Sequence, residues 1–346
     1  MHRCLQLAKK GIYTVAPNPM VGCVITVADP TMPYGERIIG EGYHRYFGGP
    51  HAEVEAIGAV PDPDMLVGAK VYVNLEPCSH HGKTPPCAHL LIDKNIGEVV
   101  VGMADPNPLV AGRGLAILRE AGVKVVVNAL QTEAQWLNRK FVVFHAKRRP
   151  YVLIKWAQSQ DSYIGRRLGT AVGLSNPRSM QSVHRARSHH ASIMVGKNTA
   201  INDNPTLNLR HWAGKHPLRI LLDAQLESPL DLNMLCDGNK TLVVNEIRGD
   251  ETTWPSYLKI NPHELEDVLA ALYDREVQSV MVEGGSELLQ SFIDRNLWDE
   301  AWVYDTPHVL GHGVAAPKLV HQKLLGKYPI DGDTITQYIN NISIES

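Results

Sequence analysis

The chain has 346 residues, 44% of them apolar and 20% charged, the composition of an ordinary soluble globular protein with enough length for two cores. A net charge of -2 and 6% aromatic residues argue against a nucleic-acid binder, which needs a basic face and stacking platforms. Five cysteines without framework spacing point to a reducing cytoplasm, and neither an apolar run approaching the roughly 20 residues of a membrane span nor a charged-then-apolar leader is present.

Residues 2–10 read as a helix stopped by Gly11. After Pro17-Asn18-Pro19-Met20 comes a buried strand at 21–27 and a shorter one at 37–41. His51 follows Gly48-Gly49-Pro50 and so opens a helix over 52–59. A strand at 70–75 then delivers Glu76-Pro77-Cys78 to its C-terminal end, the edge of an open α/β sheet where ligands collect. Helix 87–94, strand 98–102, helix 114–120 and strand 123–127 continue the alternation, which predicts a mostly parallel sheet covered by helices. The loop 105–114 carries Gly112 and Gly114 but not the full dinucleotide fingerprint in its strand-to-helix setting, so it reads as a shaped loop.

Residues 131–147 read as one long helix closed by Arg148-Arg149-Pro150, and the domain boundary falls there, giving domains at 1–147 and 150–346. A second alternating series follows: strand 151–157, helix 177–190, strands 192–195, 218–223 and 241–245, helix 262–274 and strand 279–282. Glu283-Gly284-Gly285-Ser286 is a glycine turn that opens a helix at about 287–295, and the last clear strand is 300–304. Residues 320–346 form a short tail that offers no strand. Backbone N–H groups at a glycine-rich helix start attract phosphate, so 285–291 is where a dinucleotide's pyrophosphate is expected.

The chemistry concentrates in His51-Ala52-Glu53 and in Pro77-Cys78 with Cys87. One imidazole and two thiolates fill three positions of a zinc tetrahedron and leave the fourth for water, the pattern of a catalytic ion. Glu53, two residues past His51, suits a proton shuttle that does not bind the metal. The alternative is a capping histidine beside buried thiols, which each piece alone would suggest; the ordered combination speaks against it. Eight residues separate Cys78 from Cys87 where the general deaminase signature has two. His80 or His81 could complete a four-ligand structural site in a zinc-stabilised interaction protein.

Taken together, these motifs resemble the RibD family of bifunctional riboflavin-biosynthesis deaminase-reductases over nearly the whole chain. The resemblance rests on residues 17–22, Gly42-Tyr43-His44, Pro50-His51-Ala52-Glu53, the whole of 75–87, and Asp105-Pro106-Asn107-Pro108 with Val110-Ala111-Gly112. The long segment between the cysteines discriminates it from cytidine and tRNA-adenosine deaminases, which have the short spacing. It implies a cytidine-deaminase-like three-layer α/β/α domain followed by a dihydrofolate-reductase-like α/β domain. It further implies zinc on His51, Cys78 and Cys87, proton relay by Glu53, and a diamino-pyrimidinone ribosylamine 5'-phosphate as substrate, with Asn18, His44, His80 and Lys83 in contact with it.

In the second half the resemblance covers Lys155, Ala157, Ser159, Asp161, Arg187, Gly196, Thr199, Asp203, Pro205, Leu207, Arg210 and Glu283-Gly284-Gly285. It implies reduction of the ribosyl group to ribityl by NADPH. Ala171, Arg187, Leu207, Arg210 and Glu283 would bind substrate; Ala157, Gly173, Thr199, Asp203, Ala224 and Gly285, Ser286, Glu287, Leu288, Leu289, Gln290 and Ser291 would hold the cofactor. A homodimer or higher homo-oligomer, with no nucleic-acid or membrane partner, is also implied. Two departures stand out. The family's Ser-x-Asp-Gly turn is Ser159-Gln160-Asp161-Ser162 here, so the turn is expected to be rebuilt, and the tail is shorter than usual, which would weaken the reductase half. The family also tends to begin some residues earlier than Met1.

Overall fold

A computed structural model describes residues 1–79, 86–107, 110–166 and 172–342. The chain divides into two compact units, Met1–Lys147 and Arg148–Ser346.

The first unit is built on β1 (Gly22–Ala28), β2 (Glu36–Tyr43), β3 (Lys70–Val73), β4 (Glu98–Val101) and β5 (Lys124–Val126), in the order β2-β1-β3-β4-β5. β3, β4 and β5 are parallel, as alternation with helices requires, but β1 runs antiparallel to both its neighbours. The sheet is thus mostly parallel, as expected, with β1 the one reversed strand, because residues 29–35 are too few for a crossover and can only close a hairpin between β1 and β2. The helices are α1 (His2–Ala8), α2 (Ala52–Gly58), α3 (Cys87–Asp93), α4 (Arg113–Glu120), α5 (Gln131–Leu137) and α6 (Arg139–Lys147). Ile25, Val71, Val73, Val99 and Val101 pack against Ala52, Ala56, Leu91 and Leu118. β2 lies so close to α2 that a Cβ at Gly42 would come within 2.3 Å of the Ala56 nitrogen.

The single helix expected over 131–147 is two, broken at Asn138. Asn138 is buried because its side chain both accepts from Met20 N (2.8 Å) and donates to Met20 O (2.9 Å). Asn74 adds a bond from Nδ2 to the same carbonyl (3.0 Å) and accepts from Gly22 N (2.7 Å), so two asparagines distant in sequence clamp the segment 20–22.

The second unit carries β6 (Tyr151–Gln158), β7 (Tyr163–Gly165), α7 (Pro177–Ser188), β8 (Ser192–Gly196), α8 (Lys197–Asp203), β9 (Leu218–Leu222), α9 (Asn233–Cys236), β10 (Thr241–Asn245), β11 (Ser256–Lys259), α10 (Leu265–Asp274), β12 (Ser279–Val282), α11 (Ser286–Asp294), β13 (Glu300–Asp305), β14 (Val314–Ala315), β15 (Gln322–Ile330) and β16 (Asp333–Asn340). Nine strands form one sheet in the order β11-β10-β9-β8-β12-β6-β13-β16-β15, parallel as far as β13, while β7 and β14 pair separately. Val152 and Ile154 enter one core and Leu153 the other, so the sheet is covered on both faces, as parallel strands require.

The tail, expected to lack a strand, supplies the antiparallel hairpin of β15 and β16. β16 pairs with β13 along six residues, whereas β15 is an exposed edge with Gly326, Pro329 and lysines, features that hide its strand character in the sequence. The rebuilt turn is likewise corrected: Ser162 itself adopts φ 62°. The turn is held by Ser159 Oγ donating to Asp161 Oδ1 (2.6 Å) and by Leu310 N and Gly311 N donating to the Asp161 carboxylate (3.0 and 2.7 Å). Ser162→Gly should therefore raise the stability of this unit by about 1 kcal/mol, read as a higher urea midpoint with unchanged slope. Among the described residues no helix is long and apolar enough to cross a membrane.

Candidate active sites

In the first unit three elements converge. His51 is the residue before α2, in extended conformation, so its ring is free to turn towards the ends of β3 and α3. Cys78 follows β3, and Cys87 is the first residue of α3. Their ligand atoms lie within 4.8 Å of one another, with His51 Nδ1 3.2 Å from Cys87 Sγ and 3.5 Å from Cys78 Sγ. Zinc bonds of about 2.3 Å to sulfur and about 2.0 Å to nitrogen place neighbouring tetrahedral ligands about 3.5 Å apart, so this donor set fits the ion. The hydrogen bond from the Cys87 thiol holds Cys78 down, to about 4, while that bond and burial push Cys87 up. A thiolate is thereby presented to a cation.

Glu53 sits in the first turn of α2, only 3% exposed, and burial pushes its carboxyl up. Near His51 is a short polar chain: Asn18 Nδ2 lies 3.0 Å from His44 Nε2, and His44 Nδ1 lies 2.8 Å from Pro50 O. A carbonyl can only accept, so Nδ1 carries the proton and Nε2 accepts from the amide. Burial lowers the His44 pKa, in keeping with that neutral ring, whose centroid is 5.8 Å from that of His51. The structure thus brings together His51, Glu53, Cys78, Cys87, Asn18 and His44. His80 and Lys83, with His81, lie outside the described residues.

Sequence reasoning assigned nothing to Glu76, yet it shapes the site. Its buried carboxylate accepts from Asp105 N (3.1 Å), Gly112 N (3.0 Å), Gly114 N (2.9 Å) and Leu115 N (3.3 Å), tying the loop before α4 to the cysteine strand. A Cβ at Gly114 would fall 2.0 Å from Pro77 O. Gly114 serves this approach, while Gly112 takes the positive φ (76°) that starts α4.

In the second unit a cleft runs along the C-terminal ends of the parallel strands. One part, of about 330 Å³, is lined by Lys155, Ala157, Gly173, Arg187, Asp203 and Leu207, among others. Thr199 and Gly285 also line it and are shared with a second part of about 420 Å³ that includes Ala224, Glu287, Leu288 and Ser291. The first part is floored by charge. Arg187 grips Glu283 with two bonds (2.7 and 3.0 Å), and Lys155 Nζ lies 3.8 Å from the same carboxylate. Burial opposes ionisation of Glu283, but Arg187 and Lys155 outweigh it and hold the carboxyl down, to about 2. Burial lowers the Lys155 pKa despite Glu283.

Other expected residues fall elsewhere. Ser286 opens α11 without lining the cleft, Leu289 is packed in the core, and Gln290 accepts from Lys318 N. Arg210 is exposed, and its backbone N–H donates to His184 Nδ1 (3.1 Å). Ala171 lies outside the described residues. His184 is fully buried; burial first, then Arg187, lowers its pKa from 6.5 to about 4. A depressed histidine pKa favours folding above the unfolded value and loses that contribution as pH falls. The second unit should therefore lose stability between pH 6.5 and about 4, and His184→Gln should flatten that part of the profile of denaturation midpoint against pH.

Comparison with known proteins adds the following. The family model for the RibD C-terminal domain matches residues 150–341, and that for the cytidine and deoxycytidylate deaminase zinc-binding region matches 1–103. Riboflavin biosynthesis protein RibD of Actinobacillus pleuropneumoniae is 38% identical, covering 97% of this chain and 88% of its own; that of Escherichia coli (strain K12) is 34% identical, covering 90% and 88%. Among solved structures, Acinetobacter baumannii RibD superposes with a TM-score of 0.87 at 32% identity, covering 98% of this chain and 97% of its own. A Thermotoga maritima structure described as a diaminohydroxyphosphoribosylaminopyrimidine deaminase/5-amino-6-(5-phosphoribosylamino)uracil reductase gives 0.85 at 33% identity, with the same coverage.

Proposed function

This chain belongs to the RibD family, the bifunctional deaminase-reductases of riboflavin biosynthesis, and from that premise we propose which residues carry each step. The deaminase half is a zinc enzyme acting on the diamino-pyrimidinone ribosylamine 5'-phosphate, and the reductase half then converts its ribosyl group to ribityl with NADPH. The observation that carries the reading is the convergence of His51, Cys78 and Cys87 beside a buried Glu53.

His51, Cys78 and Cys87 would hold zinc, which when bound acidifies water enough to supply hydroxide near neutral pH. Glu53 takes a proton from the attacking water and returns it to the departing amino group, which leaves as ammonia. Asn18 and His44 orient the pyrimidine through their hydrogen-bond chain, and His80 with Lys83 would meet the 5'-phosphate.

In the second unit, bound NADPH supplies the hydride. Lys155 would donate to and polarise the carbonyl of the opened sugar, Glu283 would accept from a sugar hydroxyl, Arg187 keeps Glu283 ionised, and the first turn of α11 after Gly285 would offer amides to the pyrophosphate. Ala157, Gly173, Thr199, Asp203 and Ala224 line the path between. Free cysteines throughout suit the cytoplasm, and light scattering checks the homo-oligomer that the family implies.

Incubation with the diamino-pyrimidinone phosphate, with and without NADPH, tests the assignment by product mass. Exchange of amino for oxo without NADPH, followed by gain of two hydrogens with it, is expected. Exchange alone under both conditions would leave a deaminase with an inactive second half.

A further inference from the structure

The loop between α8 and β9, residues 204–217, brings Leu207 to the 330 Å³ part of the cleft beside Arg187 and Glu283. No helix or strand runs through it, and Leu207 sits at φ 48°, a conformation that a leucine keeps only when its surroundings hold it. Side chains do the holding. Arg219 Nη1 donates to Thr206 O (2.9 Å) and Arg187 Nη1 to Asn208 O (3.2 Å). Two imidazoles accept from successive backbone groups, His216 Nδ1 from Leu209 N and His184 Nδ1 from Arg210 N (3.1 Å each). His184 and Arg187 are three residues apart on α7, on the face that also sends Met180 to the cleft, so one helix face ties the loop at two points and grips Glu283 as well. We propose that His184 is a positioning residue for the reduction step: by accepting from Arg210 N it sets the loop so that Leu207 and the Arg210 guanidinium meet the bound substrate, an inference that rests on the reductase reading above.

The hydrogen-bond balance at the ring supports this. A backbone N–H can only donate, so His184 Nδ1 is unprotonated and the ring proton lies on Nε2. Nε2 is buried without a hydrogen-bond partner among the described residues, and the ring meets His211 edge to face at 4.8 Å. A buried donor left unpaired is destabilising. A leucine would fill much of the same space without that cost, so packing does not account for a histidine here; the acceptor at Nδ1 does. Burial, followed by Arg187, His211 and Arg210, holds the pKa of His184 down, to about 4, which keeps Nδ1 an acceptor across the neutral range. The Arg210 side chain is exposed and has no ion-pair partner among the described residues, so once its backbone is fixed the guanidinium is available to an anionic substrate.

Steady-state kinetics of the full chain, with the deaminated intermediate and NADPH varied in turn, test this role. His184→Leu keeps the bulk but offers no acceptor; it is expected to raise the KM for the intermediate about tenfold while the KM for NADPH and the rate of deamination stay at wild-type values. His184→Asn places Oδ1 close to where Nδ1 stood and should recover most of that loss. In an Arg210→Ala background His184→Leu should add only about twofold, because both changes act on one contact. An unchanged KM for the intermediate in His184→Leu, an equal rise in both KM values, fully additive losses, or an asparagine variant no better than leucine overturns the positioning role and leaves the reductase reading intact. Wild type that does not reduce the intermediate overturns both. A folding defect alone would lower the urea midpoint and the active fraction, and with it kcat, without shifting one KM and sparing the other.

Discussion

Glu53→Gln is expected to cut ammonia release by about three orders of magnitude while zinc content and the reductase step stay at wild-type levels. The amide keeps the volume and polarity of a side chain that is 3% exposed, so the first turn of α2 and the His51 it carries remain in place. What it cannot do is accept a proton from water and pass it on. Cys78→Ala gives the contrasting result, loss of metal together with loss of deamination, because it removes one of three donors. Ammonia assay and elemental zinc analysis on the same preparations separate the two. A Glu53→Gln protein that still releases ammonia at the normal rate would remove Glu53 from the mechanism.

The second large effect concerns Lys155→Met, for which reduction of the deaminated intermediate should fall by about two to three orders of magnitude with deamination unaffected. Lys155 is the cation of the cleft floor that is not already committed to two bonds with Glu283, and burial lowers its pKa, so it can approach a neutral carbonyl at modest cost. Methionine fills the stem's place, and Arg187 still neutralises Glu283, so the unit keeps its fold. Glu283→Leu differs: it leaves Arg187 and Lys155 buried with no counter-charge, and about 3–5 kcal/mol of stability should go with it. NADPH oxidation in the presence of the intermediate, measured beside urea denaturation of each variant, distinguishes a lost chemical contact from a lost fold.

How much of this was legible beforehand depends on whether the information was local. His51, Glu53, Cys78 and Cys87 declare themselves by residue type and order, because few other uses bring an imidazole, a carboxylate and two thiols into that sequence. The alternating helices and strands of both units were visible for the same reason, since each element buries its own periodic face. Contacts between distant segments were not. Nothing in Asn74 or Asn138 signals that both bind Met20, and the break between α5 and α6 follows from that bond and not from helix propensity. Glu76 looks like part of the cysteine motif, yet its role depends on amides near 105–115.

The tail and the Ser159–Ser162 turn failed in another way. β15 is an edge strand whose burial shows almost no alternation, so the signal that marks strands is missing from it. At Ser162 the absence of glycine suggested a different turn, but the Asp161 carboxylate, anchored by Leu310 and Gly311, holds a serine at φ 62°. Tertiary hydrogen bonds overrode the local preference. The Lys155–Glu283–Arg187 group was seen only as separate matches; that they form one charged floor is a property of β6, α7 and β12 lying side by side.

Zinc K-edge absorption of the purified protein tests the first active site most directly. The account predicts two sulfur neighbours at about 2.3 Å and two lighter ones at about 2.0 Å, of which a single one shows the outer-shell scattering of an imidazole and the other is an exchangeable oxygen. Two imidazoles on the ion, or a third sulfur, would close the position at which water must bind and would contradict the hydrolytic role given to Glu53.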